Sequence, residues 1–242
     1  NRIGEGHVLK FDKDLKLVDE YPTETAIELS GFKGVTHLSL HPSGQYIAYT
    51  TETGKRLMRY DLVKRQQMTD LATVEGGNLY DRNWFIALAY CQDGRLLVTR
   101  GGTVESYDET GKVLRTYSLE KFGYGFAQIA VCHDQQHAVA ANIFTGIACK
   151  FSLASGEIVA HVQTDHGGQR KSLAGIAGGV RGVRIGIDRD LLAACAEPDM
   201  ARITGEAAAV FAQLGAEMRD VRVPSLDQIT RDKLVPAVRD GQ

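Results

Sequence analysis

The chain has 242 residues, 43% of them hydrophobic and 24% charged, and its 28 basic and 30 acidic side chains leave a formal charge of -2. That composition is ordinary for a globular protein of one large or two small domains. It offers no electrostatic footprint for nucleic acid or an anionic membrane, so neither is expected as a partner. No apolar run approaches the ~20 residues that span a bilayer. The first residues, Asn1-Arg2-Ile3-Gly4, lack the apolar core of a signal peptide, and without a Met at position 1 the compartment stays open.

The first readable element is HVLKFDKDLKLVDEY at 7–21. Apolar and polar side chains alternate on either side of a polar turn, which predicts a β-hairpin. The unit returns at 56–71 (RLMRYDLVKRQQMTDL), 102–119 (GTVESYDETGKVLRTYSL) and 148–162 (ACKFSLASGEIVAHV). Its aromatic markers, Phe11, Tyr60, Tyr107 and Phe151, recur every ~44 to 49 residues, the length of a four-stranded propeller blade. A second hairpin runs in phase at 37–50, 87–100 and 128–141. Pro42-Ser43-Gly44 and Asp93-Gly94 supply its turn residues, whereas His133-Asp134-Gln135 has drifted from that chemistry.

Each full repeat is therefore two hairpins and four antiparallel strands, and 6–164 reads as half a blade followed by three blades. The stretches HPSGQYIAYT, YDETGKVLRTYSL and KFSLASGEIVAHV resemble the β-propeller superfamily of the WD-repeat or YVTN kind, with Tyr60-Asp61 and Tyr107-Asp108 standing where the WD dipeptide would be. The resemblance implies a radial scaffold whose loops bind proteins, small molecules or a cofactor, and some relatives are oxidoreductase subunits. Closed propellers have about four to eight blades. Open blade edges here call for cover by the C-terminal third, by a partner chain or oligomer, or by further sequence.

From Asp165 the texture changes. Asp165-His166-Gly167-Gly168-Gln169-Arg170-Lys171 reads as a linker, dividing the chain into 1–165 and 166–242. Beyond it a strand is predicted over 183–187, a helix over 198–214 capped by Gly215, and a strand over 217–223 ended by Pro224. This β-α-β segment is expected to bury Ile185, Ile187, Ile203, Val210 and Leu214. Its residues, GGVRGVRIGIDRD at 178–190 and EPDMARITGEAAAVFAQLGAEMRDVRVPSL at 197–226, resemble the non-catalytic C-terminal part of the amidase signature family. That family's two serines and lysine lie in an upstream Gly/Ser-rich segment with no counterpart here, so no catalytic residue carries over. Two unrelated resemblances in one chain read as a fusion or a fragment.

The expected fold class is mainly β, four-stranded propeller-type blades followed by a small α/β segment. The expected function is a binding or scaffold module with a protein partner or other subunit and no self-contained catalytic site. The alternative is a fragment or subunit of an amidase-type C–N hydrolase, or of a propeller oxidoreductase, whose catalytic residues lie outside this chain.

Few residues are candidates for chemistry. Cys91, Cys132, Cys149 and Cys195 lack C-x-x-C spacing and read as buried thiols. Ser30–Lys33 and Ser118–Lys121 fit S-x-x-K without the companion motifs of that chemistry. His37 and His41 would share a face on a helix, but on a strand they read as blade-to-blade hydrogen-bonding residues, so no metal site is expected. Gly178 to Gly182 reads G-G-x-x-G but precedes a strand, which is the wrong context for phosphate, and no cofactor is expected. The binding candidates are Tyr80, Arg82, Trp84 and Tyr124, in comparable loops before the second and third blades. Trp84 also suits a wedge between blades.

Overall fold

The computed structural model describes residues 6–14, 16–25, 34–51, 53–75, 84–166, 169–170, 184–190, 193, 198–213 and 215–222. The chain divides into two compact units, Asn1–Gly178 and Gly179–Gln242.

In the first unit, β1 (His7–Phe11) and β2 (Leu17–Pro22) form an antiparallel hairpin. Asp12 holds its turn, with Oδ1 accepting from the backbone N–H of Asp14 and Lys16. Three blades follow. The first is β3 (Val35–Leu40), β4 (Tyr46–Thr51), β5 (Arg56–Asp61) and β6 (Gln66–Gln67), with β7 (Ala72–Thr73) also pairing onto β5. The second runs β8 (Leu88–Tyr90), β9 (Leu96–Arg100), β10 (Thr103–Tyr107) and β11 (Val113–Ser118). The third runs β12 (Phe126–Val131), β13 (His137–Asn142), β14 (Ile147–Ser152) and β15 (Ile158–Gln163), and a short hairpin of β16 (Asp165–His166) and β17 (Gln169–Arg170) ends the unit's described strands. The fold is thus mainly β and propeller-like, built from four-stranded antiparallel sheets.

The repeats agree at the level of single hydrogen bonds. The turn after each innermost strand closes from Gly44 N–H to the His41 carbonyl, from Gly94 to Cys91 and from Gln135 to Cys132, at 2.8, 3.1 and 2.9 Å. The closing residues have φ of 72°, 88° and 56°, so the drifted third turn keeps the left-handed geometry with a non-glycine residue. His41 occupies the place that Cys91 and Cys132 take in the next two blades. All three side chains are buried there.

The marker aromatics explain how the blades pack. Tyr60 joins Tyr21, Ile47 and Tyr49 between the first hairpin and the first blade. Tyr107 joins Leu57, Phe85 and Leu96 between the first and second blades, and Phe151 joins Tyr117, Leu119 and Phe126 between the second and third. Each marker fills the gap to the preceding sheet. Phe11, whose hairpin is the first described element, is 50% exposed. In three hairpins the register shifts at the marker itself, at Lys10/Phe11, Ser106/Tyr107 and Lys150/Phe151. That is a shared bulge of the repeat.

In the second unit, β18 (Arg184–Ile187) and β19 (Glu217–Asp220) pair in parallel, with helix α1 (Pro198–Gln213) between them in sequence. Gly215, at φ 93°, ends the helix and donates to the Ala212 carbonyl, while Ala216 N–H reaches the Phe211 carbonyl. This is the glycine cap read from the sequence. β19 stops short of Val221 and Arg222, which the expected strand included, residues 183 and 223 lie outside the described residues, and Ile185 and Ile187 are half-buried where burial was expected. The side chains of Ile203, Val210 and Leu214 lie outside the described residues.

Candidate functional site

Alternation brings the innermost strands β3, β8 and β12 into the first unit side by side, and they begin at one common end, where β4, β9 and β13 finish. At that end lies a cavity of about 340 Å³. The first blade contributes Thr36, His37 and Thr51, the second Trp84, Phe85 and Ile86, and the third Gly125, Ala127, Ile143 and Phe144.

Two register shifts open this space. β3 pairs with β4 at Val35↔Thr51 and then His37↔Thr50, so Thr36 is unpaired in the ladder. β12 pairs with β13 at Phe126↔Asn142 and then Gln128↔Ala141, so Ala127 is skipped in the same way. A bulge re-aims the side chain at the extra residue. Both extra residues line the cavity.

The second blade's wall is pinned by hydrogen bonds from two sheets. Phe85 N–H donates to the Gly54 carbonyl at 2.7 Å, Ile86 N–H to the Thr99 carbonyl at 3.1 Å, and the Thr50 hydroxyl to the Ile86 carbonyl at 2.7 Å. Behind Phe85 the Arg100 guanidinium sits 4.4 Å from the ring centroid and bonds Glu105 Oε2 at 2.8 Å. On the third blade, buried Asn142 is the organiser. Its Nδ2 donates to the Tyr124 carbonyl at 2.7 Å, and its Oδ1 accepts from the N–H of Phe144 and Thr145 at 3.0 and 3.1 Å. Gly125, at φ 108°, leaves room for the Phe144 ring, which any side chain there would strike.

The cavity wall is mostly apolar. Three polar atoms of its lining residues, His37 Nδ1, Thr51 Oγ1 and Trp84 Nε1, are buried without a hydrogen-bond partner. Thr53 Oγ1 and Thr145 Oγ1, in adjoining loops, share that condition. Each such atom costs ~1–3 kcal/mol, and native proteins hold few of them. Burial depresses the His37 pKa below the ordinary value, so the imidazole is neutral at physiological pH.

Of the four binding candidates, Trp84 is only 6% exposed and packs over Gly54, so any contact it makes with a ligand is made from within the cavity. Tyr124 is 39% exposed on the rim, near Phe144 at 75%. Tyr80 and Arg82 lie outside the described residues. Sequence reading passed over Thr36, His37, Thr51 and Ala127 as cavity residues. Strand alternation carries no signal for a bulge.

The other candidates resolve as structural features. His41 stacks on Tyr46 at 4.2 Å and meets the edge of Tyr90 from the second blade at 4.9 Å, the blade-to-blade role expected of it, here through ring packing. Its Nδ1 lies 2.8 Å from Ser43 Oγ and accepts from Ser43 N–H at 3.2 Å, while Nε2 is 3.7 Å from Glu109 Oε1. That order resembles a serine–histidine–carboxylate set, but the backbone N–H already occupies the nitrogen that would take the serine proton. The arrangement braces a turn. Ser118 ends β11 while Lys121 sits in a single 3-10 turn with its ammonium 4.8 Å from the Phe122 ring centroid, so no helical turn joins them. Ser30 and Lys33 lie outside the described residues. Cys91, Cys132 and Cys149 are buried free thiols, and burial pushes Cys91 and Cys149 up to about 11. Cys195 is not among the described residues. Among the described residues there is no cluster of three metal-ligating side chains and no helix long and apolar enough to cross a membrane.

No protein-family model matches the chain, and no curated protein matches it. Neither resemblance read from the sequence gains support there. Among solved structures, the chain is similar to hydrazine synthase from Kuenenia stuttgartiensis, at 14% identity and a TM-score of 0.45. The match covers 62% of this chain and spans 40% of the length of that one. So distant a likeness carries no argument about chemistry.

Proposed function

We propose that the first unit is a binding or scaffold module, a propeller-type frame whose recognition surface is the loop end of the blades and which has no catalytic site of its own. The observation that supports this reading is the rim itself: Tyr124 and Phe144 stand exposed beside a cavity to which three blades contribute. Large aromatics on a rigid frame are the usual anchors of protein interfaces. Asn142 fixes both of the loops that carry them. Tyr80 and Arg82 enter the reading from sequence alone.

The test is site-specific photo-crosslinking in extracts of the source cells. Benzoylphenylalanine is placed at Tyr124 or Phe144, and for comparison at Val63, which is 70% exposed in the β5–β6 turn at the opposite blade end. The same protein adduct from positions 124 and 144, and none from 63, is expected. Equal capture from all three positions, or none, refutes the reading. The alternative, a contribution to amide hydrolysis, is tested with a fluorophosphonate probe: no serine is expected to be labelled, and a labelled Ser43 would reverse the conclusion.

A further inference from the structure

The joint between neighbouring sheets is made three times inside the first unit, each time from the same positions. Three residues before each marker aromatic stands a side chain that faces the following sheet: Val8 packs against the cluster of Tyr60, Leu57 joins that of Tyr107, and Val104 that of Phe151. Cross-strand partners complete each seat, Tyr21 opposite Val8, Ala72 opposite Leu57 and Tyr117 opposite Val104. The marker of the next sheet then closes on it. Ring centroids of Tyr60 and Tyr21 are 6.1 Å apart, and those of Phe151 and Tyr117 are 5.0 Å apart. A basic side chain also crosses two of the joints. Arg59 donates to the Glu109 carbonyl at 3.1 Å and Arg115 to the Ala154 carbonyl, each in the turn of the next blade's outer hairpin.

Two halves of that joint are left over. Phe11 is the marker with no described sheet before it and is 50% exposed, and Leu9 is half-buried where its counterparts Met58 and Cys149 are fully enclosed. On the third blade Ala148 and its cross-strand partner Val162 hold the positions of Val104 and Tyr117, and Val162 is 57% exposed. Lys150 holds the position of Arg59, and the turn of the first hairpin carries Asp12 and Asp14 to meet it. One face has the marker, and the other has the seat. We propose that they meet between two copies of this chain: Phe11 of each copy packs over Ala148 and Val162 of the other, so that two joints of the internal kind close a pair about a two-fold axis. The number of blades selects the second copy as occupant. Among the described residues one hairpin and three blades take four blade positions, and two copies take eight, within the range of about four to eight at which propellers close. A single copy would close only at the lower limit, and the exposure of Phe11 and Val162 shows that the two faces do not meet within one chain.

Sedimentation velocity on the full chain at ~10 μM is expected to show a species of twice the chain mass that dissociates on dilution. Phe11→Asp and Val162→Asp each put a charge into the joint and should each weaken the pair about tenfold or more. Val63→Asp, at an exposed apolar site in the β5–β6 turn, should leave it unchanged. The two weakened variants mixed one to one should associate more tightly than either alone, because the mixed pair keeps one intact joint, Phe11 of one copy on Val162 of the other. Melting temperatures establish that each variant folds, and Phe11→Ser takes the place of Phe11→Asp if that variant does not. A chain that stays monomeric at ~100 μM overturns the proposal in favour of cover by the second unit or by further sequence. A species heavier than two chains overturns the closed pair, and indifference to Val162→Asp or no gain on mixing overturns the pairing of these two faces. The crosslinks at Tyr124 and Phe144 report on the loop end and not on these sheet faces, so the two readings fail separately.

Discussion

Gly44 and Gly111 both sit in hairpin turns with φ of 72° and 87°, and an alanine at either carries the left-handed penalty of ~1–2 kcal/mol. Their surroundings differ. Nothing lies near a side chain added at Gly44, whereas one added at Gly111 would overlap the carbonyl of Leu71 on the neighbouring blade. Gly44→Ala is therefore expected to cost ~1 kcal/mol and Gly111→Ala ~3 kcal/mol or more, because only the second also displaces a packed backbone. Urea midpoints for the two variants check this, and equal losses would show that blade contact at Leu71 is unimportant. Gln135 shows how a side chain can hold the same geometry. It stands at the glycine position of its turn, and its Oε1 accepts from Gln92 N–H of the second blade at 2.9 Å.

At the scale of the element, the β13–β14 loop is held by one amide. Asn142 is fully buried and satisfies two loop N–H groups and the Tyr124 carbonyl together. Asn142→Ala leaves those groups without a protein partner, an expected loss of ~2–4 kcal/mol. The expected signature is local. Amide exchange at Phe144 and Thr145 should accelerate well beyond that of β13 and β14 themselves, since the strands keep their ladder bonds. Uniform acceleration across the blade would mean that Asn142 supports the whole sheet and not the loop.

Across the first unit, burial disfavours the charged form of the titratable side chains it encloses, lowering histidines and raising thiols. Burial depresses the pKa of His37 and of His41, the latter against the opposing pull of Glu109, so the unfolded chain protonates first as the pH falls through 6.5. Stability from this source is complete above the unfolded value and declines on acidification. A second decline follows below 3.8. The Arg65 side chain beside Asp19, the Thr110 hydroxyl on Asp108 and the Gln136 N–H on Asp134 hold those carboxyls low, Asp134 at about 2. The urea midpoint is expected to be flat from about pH 7 to about pH 9, where the buried thiols begin to ionise in the unfolded chain, and to fall in two steps below pH 7. The double variant His37→Gln/His41→Asn should lose the first step and keep the second. A parent midpoint unchanged between about pH 7 and pH 5 would contradict the assignment.

What the sequence determined by itself was everything that depends on near neighbours in the chain. Alternation and turn residues marked both hairpins of every blade, and the aromatic at Tyr60, Tyr107 and Phe151 set the repeat, because a strand's two faces and a turn's φ are local matters. Gly215 announced the helix end for the same reason. Tertiary structure decided the rest. Thr36 and Ala127 reach the cavity only because a partner strand skips them, and Trp84 is enclosed only because Gly54 of the preceding blade lets it pack there. Whether the Thr51 hydroxyl or the His37 nitrogen finds a partner depends on atoms of other blades, which no spacing within one repeat encodes. Repetition specifies the blade, while the cavity belongs to the meeting of three blades whose mutual placement is set by packing.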